Sequence, residues 1–330
     1  MIKKNNRVAL VCIGAMGTAL AQTLLENEIE IHVWNRTPEK IETLAQKGAI
    51  TYTQPHKAIE SCDIVIVCLS DYDAWKEIID YENVRSSLKS SILIQLSTGS
   101  MAEVEANSLI MKDLDVELIE GSILCFPEQI GTELASIILA GKSDVIESCD
   151  SILRLMSPKI SYLGESLSAP VVLGNAIMSS VLGFSAGLIN GAALCLNGDV
   201  PLKSYREQTV HNFARMQTEP LRILDAIANK DTENTQASVS TWYDAHLKLL
   251  KISDKLGVDT RFHQGLSLMF KETIDQNIGG HDLSAMVKVF SNKNRSTLKN
   301  ITDIELQEFG LLKCKTFITR LFNIITCYWR

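Results

Sequence analysis

The stretch VALVCIGAMGTALA, Val8 to Ala21, constrains the fold more than any other. An apolar β-branched run meets two glycines, Gly14 and Gly17, and a helical pattern follows at once. A strand that turns sharply into a helix is the repeating unit of a parallel α/β sheet. The spacing is that of Gly-x-Gly-x-x-Gly, with Cys12 in the first place. In that motif the first glycine tightens the turn, the second lets backbone approach a pyrophosphate, and the third lets the helix pack on the strand. Gly14 and Gly17 keep the second and third roles. A Cβ at a left-handed first position costs about 1–2 kcal/mol, which weakens such a turn without abolishing it. The helix start still offers N–H groups and a positive dipole end to an anion. Ile13, Gly14, Ala15 and Met16 are therefore candidate phosphate-binding residues.

The second strand ends VWNRTPEK, residues 33–40. A site for NAD usually places Asp or Glu at this tip to bond the ribose 2′-hydroxyl. Here Asn35, Arg36, Thr37 and Lys40 converge instead. A guanidinium fork grips a phosphate and an ammonium adds a point charge, so the tip favours the 2′-phosphate of NADP. The plainer alternative is a capped helix with solvated charges, since Thr37, Pro38 and Gly48 read as N-cap, first position and end of a helix.

Further along come DIVIVCL, SSILIQLS, VELIEGSI and SIILAG, short runs separated by helical or turn segments. Runs apolar on both faces suit a parallel sheet covered by helices on each side. The expected fold class is α/β: a Rossmann-type domain over 1–165, then a long apolar helix (166–196) leading into an all-α domain over 166–330. Ser168–Leu196 reads SAPVVLGNAIMSSVLGFSAGLINGAALCL and carries no charge. Hydropathy alone matches a membrane span. The water-soluble texture of the later segments favours a buried helix, either the spine of the helical domain or a dimer interface. The atypical extension 291–330 places apolar residues of LLKCKTFITRLFNIITCYWR at helical spacing among basic ones. It reads as a packed amphipathic helix or a partner or membrane-surface contact.

At 330 residues there is room for two cores. Hydrophobic residues at 46% and charged residues at 22% exclude a disordered chain. A net charge of −7 disfavours nucleic acid, which needs a basic surface. Eight cysteines without a CxxC pair fit reduced, buried thiols rather than a disulfide framework or zinc site. With no apolar signal segment after MIKKNN, the expected location is cytoplasmic. No His, Asp or Glu cluster has ligand spacing, so no catalytic metal is expected.

Six segments in order resemble the NADPH-dependent imine reductases, relatives of the β-hydroxyacid dehydrogenases: IGAMGTALA, VWNRTPEK, VIVCLSDYDA, QLSTGS, EGSILCFPEQIGT and IGGHDLSAMVKVF. The resemblance spans about Val8 to Phe290. It implies cofactor contacts from Cys68, Leu69 and Ser70 and from Ser97 and Thr98. It also implies a homodimer with exchanged helical domains, acting on a small imine or carbonyl.

The family commonly places an Asp or Tyr on the long helix as proton donor, and the dehydrogenase relatives a Lys with an Asn nearby. The resemblance puts Gly174 at the donor position, with Asn175 beside it. Neither has a proton of useful pKa. An iminium accepts hydride without an acid, whereas a carbonyl generates an alkoxide that must be stabilised. The expectation is therefore reduction of a C=N bond, with a cyclic imine as substrate. The alternatives are a hydroxyacid dehydrogenase or a catalytically impaired NADP-binding protein. Tyr205, His211, Tyr243 and His246 are the remaining candidate donors, each more simply read as packing or surface residues; His281 reads as structural.

Overall fold

The computed structural model describes residues 7–11 and 14–291, the side chains of 214–216 apart. Cys12, Ile13, Cys314, Cys327 and the amphipathic pattern near the C-terminus lie outside the described residues. The chain divides into two compact units within one long helix, after Ser179.

The first unit is an eight-stranded sheet in the order β3-β2-β1-β4-β5-β6-β7-β8. Strand β1 is Arg7–Val11, β2 Glu30–Trp34, β3 Ile50–Tyr52 and β4 Ile64–Val67. Strand β5 is Ile92–Gln95, β6 Glu117–Ile123, β7 Ser136–Ala140 and β8 Lys159–Tyr162. Helices α1 (Ala15–Glu26), α2 (Glu42–Gln46) and α3 (Pro55–Ile59) follow the first three strands. Next come α4 (Tyr72–Ile79), α5 (Glu82–Leu88), α6 (Met101–Asp113), α7 (Ser143–Ser148) and α8 (Asp150–Met156).

Side-chain alternation along each strand explains the two-sided core. Val8 and Leu10 face one side with Ile31, Val33, Ile64, Ile66 and the apolar face of α1. Ala9 and Val11 face the other with Val65, Val67, Leu93 and Trp75 of α4. Each large aliphatic side chain buried this way contributes about 1.5–3 kcal/mol. The sheet is not wholly parallel: β6 and β7 run antiparallel, and β8 then pairs parallel with β7. Strands β1, β2, β4 and β5 are all parallel, so their C-terminal ends share one edge. The order reverses between β1 and β4, and that crevice is where open α/β sheets bind ligands.

Helix α9, Ala169–Asn197, begins within a few residues of its expected start. Its burial departs from expectation. Only Pro170 and Val171 are buried, while Met178, Leu182 and Ile189 are 53%, 60% and 71% exposed. By length and composition it could cross a membrane, with mean hydropathy 1.7. Among the described residues, nothing covers most of this apolar surface.

The second unit contains α10 (Leu202–Asn229), α11 (Val239–Lys255), α12 (Arg261–Thr273) and α13 (Val287–Phe290). Val239, Phe270 and Met286 form its small buried cluster. The segment before α13 is pinned by Asp282, 2% exposed, which pairs with Arg222 of α10 at 3.0 Å.

Candidate functional site

Gly14 caps α1 with extended backbone (φ −94°) and has no side chain to bond the N–H groups of the helix start. A Cβ built there would have nothing within 4 Å. Gly14 and Ala15 are exposed, Met16 is half-buried, and Gly17 is packed beneath. The crevice thus offers an uncapped helix N-terminus with a bare glycine at its mouth, which suits the close approach of an anion.

At the tip of β2, the Asn35 side chain is buried and donates to the Thr37 carbonyl at 2.8 Å. This shapes the turn and leaves Arg36, Thr37 and Lys40 exposed. Thr37 and Pro38 start a helix as expected, but its first turn is 3₁₀ (Pro38–Ile41) and the Thr37 side chain makes no cap bond. Its hydroxyl therefore remains accessible at the tip. Gly48 ends the helix with φ +103°, where a side chain would be strained.

After β4, Cys68 is buried, and burial pushes its thiol up to about 12. It is a packing residue with no thiolate character. Leu69 donates its backbone N–H to Ser97 Oγ at 2.9 Å, which ties the loop after β4 to the loop after β5. Ser97 in turn donates its backbone N–H to Gln95 Oε1 at 3.0 Å. Ser70 donates to Asp71, and Asp71 caps α4 through the Ala74 N–H. Thr98 is exposed at the same edge. All the described candidate cofactor residues therefore lie along one edge of the sheet.

Beneath them is a polar cluster that the sequence reading missed. Glu120 on β6 is fully buried and lies opposite Gln95 in the register. Tyr72, the first residue of α4, packs its ring so closely on Gly99 that a Cβ there would sit 2.4 Å away. Its hydroxyl bonds Glu120, and burial pushes that carboxyl up to about 8 against the opposing pull of this bond. The sequence signal was a carboxylate inside the apolar strand VELIEGSI, a position that demands a partner. Tyr72 lies 48 residues away, so no local pattern could name it.

The model of the NAD binding domain of 6-phosphogluconate dehydrogenase matches residues 7–164. The chain is 24% identical over 295 residues to an NADPH-dependent reductive aminase of Aspergillus oryzae, covering 87% of this chain and 97% of that protein. An imine reductase from Myxococcus stipitatus in complex with NADP+ superposes with TM-score 0.83 at 21% identity, over 86% of this chain and 99% of that one. A reductive aminase from Aspergillus terreus in complex with NADPH and ethyl levulinate gives TM-score 0.81 at 21% identity, again over 86% and 99%. Residues 7–164 thus match an NAD-binding domain of the 6-phosphogluconate dehydrogenase type, and the fold is the one that the imine reductases and reductive aminases share.

The long helix is where this chain departs from the pattern that the sequence resemblance implies. Gly174, which the resemblance puts at the donor position, faces Ser122 of β6, whose Oγ would lie 3.2 Å from an added Cβ. Asn175 turns its amide back on its own helix, donating to the Val171 carbonyl at 2.8 Å. Ser122 donates to the Pro170 carbonyl at 3.2 Å. In the second unit, the Tyr205 hydroxyl donates to the Leu188 carbonyl and packs against Gly191. Tyr243 packs on Phe270, and His246 is buried with Nε2 on the His263 carbonyl. His211 is exposed on α10, and His281 is half-buried beside the Asp282 anchor. Tyr205 and His246 are thus engaged in packing bonds.

Proposed function

We propose that the chain reduces C=N bonds with NADPH, taking a small and preferably cyclic imine to its amine. The carrying observation is the single edge that gathers an uncapped helix start at Gly14, the exposed Arg36, Thr37 and Lys40, and the tied loops Leu69–Ser70 and Ser97–Thr98. Ala15 and Met16 N–H groups, with the Ile13–Gly14 turn, would hold the pyrophosphate. Asn35 shapes the tip so that Arg36, Thr37 and Lys40 meet the 2′-phosphate. Leu69, Ser70, Ser97 and Thr98 would flank the ribose and nicotinamide, over a floor made by Cys68. When bound, NADPH supplies the hydride.

The chain's own part is to bind, orient and exclude water. Gly174 brings no acid. A protonated imine reaches the site already cationic, and hydride addition to its carbon neutralises it without a proton from the protein. Carbonyl reduction would leave an alkoxide that nothing at Gly174 or Asn175 can protonate. The dehydrogenase alternative also lacks its lysine, since α9 contains none. The same glycine, together with Cys12, keeps a catalytically impaired NADP-binding protein as the second reading.

The exposed, charge-free surface of α9 supports a homodimer in which a second copy covers this helix. An exchange of helical domains agrees with that requirement. The free thiols Cys62, Cys68 and Cys149, all buried, accord with a cytoplasmic location.

Titration of protein fluorescence with NADPH and NADH, followed by turnover on a panel of cyclic imines, ketones and hydroxyacids, tests the reading. Saturable, NADPH-selective binding with imine turnover is expected. NADPH binding with no turnover of any substrate favours the impaired reading, and hydroxyacid oxidation favours the dehydrogenase. Binding of neither cofactor removes all three.

A further inference from the structure

The tip of β2 has no carboxylate at Asn35, Arg36 or Thr37, yet one reaches Arg36 from helix α4. Glu77, in the last turn of α4, places Oε2 3.1 Å from Arg36 Nη1, 41 residues away in sequence. The two side chains are 78% (Arg36) and 69% (Glu77) exposed, so charge rather than packing holds them together. The backbone under Glu77 is nonetheless fixed. Tyr72, Trp75, Ile78 and Ile79 bury the other face of α4, and Trp75 Nε1 donates to Asn107 at 2.9 Å. The carboxylate is therefore presented to Arg36 by a rigid helix.

We propose that Glu77 is a cofactor-selectivity residue, whose carboxylate holds one arm of the Arg36 fork and lowers the preference for NADPH over NADH. This rests on the NADPH reading above. Carboxylate and phosphate accept from the same in-plane N–H edge of a guanidinium, so the two compete for it. A 2′-phosphate that takes Arg36 leaves Glu77 without its partner, next to a group carrying roughly −1.5 to −2 charges. A 2′-hydroxyl is neutral and donates, so with NADH the carboxylate keeps Arg36 or accepts the ribose bond that an acidic β2 tip would provide. The penalty therefore falls on NADPH alone.

The test is a titration of wild type and Glu77→Gln with NADPH and NADH, at low and at high ionic strength. Glu77→Gln should tighten NADPH about three- to fivefold at low salt, the scale of one exposed ion pair, and leave NADH within about twofold. The gain should shrink in high salt, which a change in packing would not do. Unchanged or weaker NADPH binding, or equal tightening of both cofactors, would overturn the inference while leaving an NADPH-selective wild type intact. A wild type that binds neither cofactor overturns inference and reading together. A wild type that prefers NADH, with Glu77→Gln still moving the ratio towards NADPH, sinks only the reading.

Discussion

The phenol oxygen of Tyr72 lies 2.7 and 2.6 Å from the two carboxyl oxygens of Glu120, with both side chains buried. Burial first, then Glu120 and Glu103, push the Tyr72 phenol up, so it stays a donor, and burial raises the Glu120 carboxyl from 4.5 to about 8. The folded state thus holds a proton that the unfolded chain releases between those two values. Stability from this group is full below about pH 4.5, falls as pH rises to about 8, and levels off above. Glu120→Gln keeps an acceptor for Tyr72 and removes the ionisation. Relative to wild type it should gain stability as pH rises from 5 to 9, on the order of 1–3 kcal/mol. Urea melts across that range check it; a constant difference would mean that Glu120 is already ionised in the fold.

Gly14 supplies a prediction that separates fold from ligand. A Cβ there meets nothing, and φ is negative, so Gly14→Ala should cost about 0.5 kcal/mol or less as a weaker N-cap. An anion drawn to the uncapped helix start would meet the new methyl directly. NADPH affinity should fall at least about tenfold while Tm moves by only a few degrees. Unchanged NADPH affinity in a folded Gly14→Ala protein would show that pyrophosphate does not approach this glycine.

In the second unit, Asp282 accepts from Arg222, Thr235 and the Ser284 N–H at 3.0, 3.0 and 2.9 Å. Burial alone would raise its carboxyl, but these bonds outweigh it and lower the value to about 2. Its contribution is present above the unfolded value of 3.8 and is lost as pH falls through about 2. Asp282→Asn should destabilise by about 1–3 kcal/mol at pH 7, discounted because Arg222 is partly exposed. The deficit should shrink below pH 3. Thermal melts at pH 7 and pH 2.5 measure both; an equal deficit at the two values would leave the charge without a role.

Much of the fold was legible because it rests on local rules. The β1–α1 turn shows in two glycines, the α2 segment in Thr37, Pro38 and Gly48, and α9 in a long charge-free run. What was not legible depends on distance or on short edges. β3 and β8 are three and four residues long with mostly exposed side chains, so they carry no apolar run to read. The antiparallel step at β6–β7 is a pairing choice that no single strand encodes. In the site, the candidate residues fall along one edge because each sits just after a strand. Glu120 with Tyr72 and Glu77 with Arg36 were not legible, being pairs made by the sheet order. The buried character expected of α9 fails for a different reason, since most of its apolar side chains stay exposed among the described residues.

That exposure leads to the last prediction. Val181 and Leu182 lie next to each other on α9, 50% and 60% exposed, and Phe184 follows at 40%. An apolar stretch of this kind with no charge on its helix is costly to leave in water. If a second copy covers it, wild-type protein should run as a dimer in size-exclusion chromatography with light scattering at micromolar concentration. Leu182→Glu would bury an unpaired carboxylate in that interface, at a cost of roughly 3–5 kcal/mol, or a 100-fold or greater rise in the dimer dissociation constant. The first unit lies on the other side of Ser179, so NADPH titration of the variant should still saturate. A monomeric wild type, or a Leu182→Glu protein that remains fully dimeric, would mean that something other than this helix face joins the copies, or that nothing does.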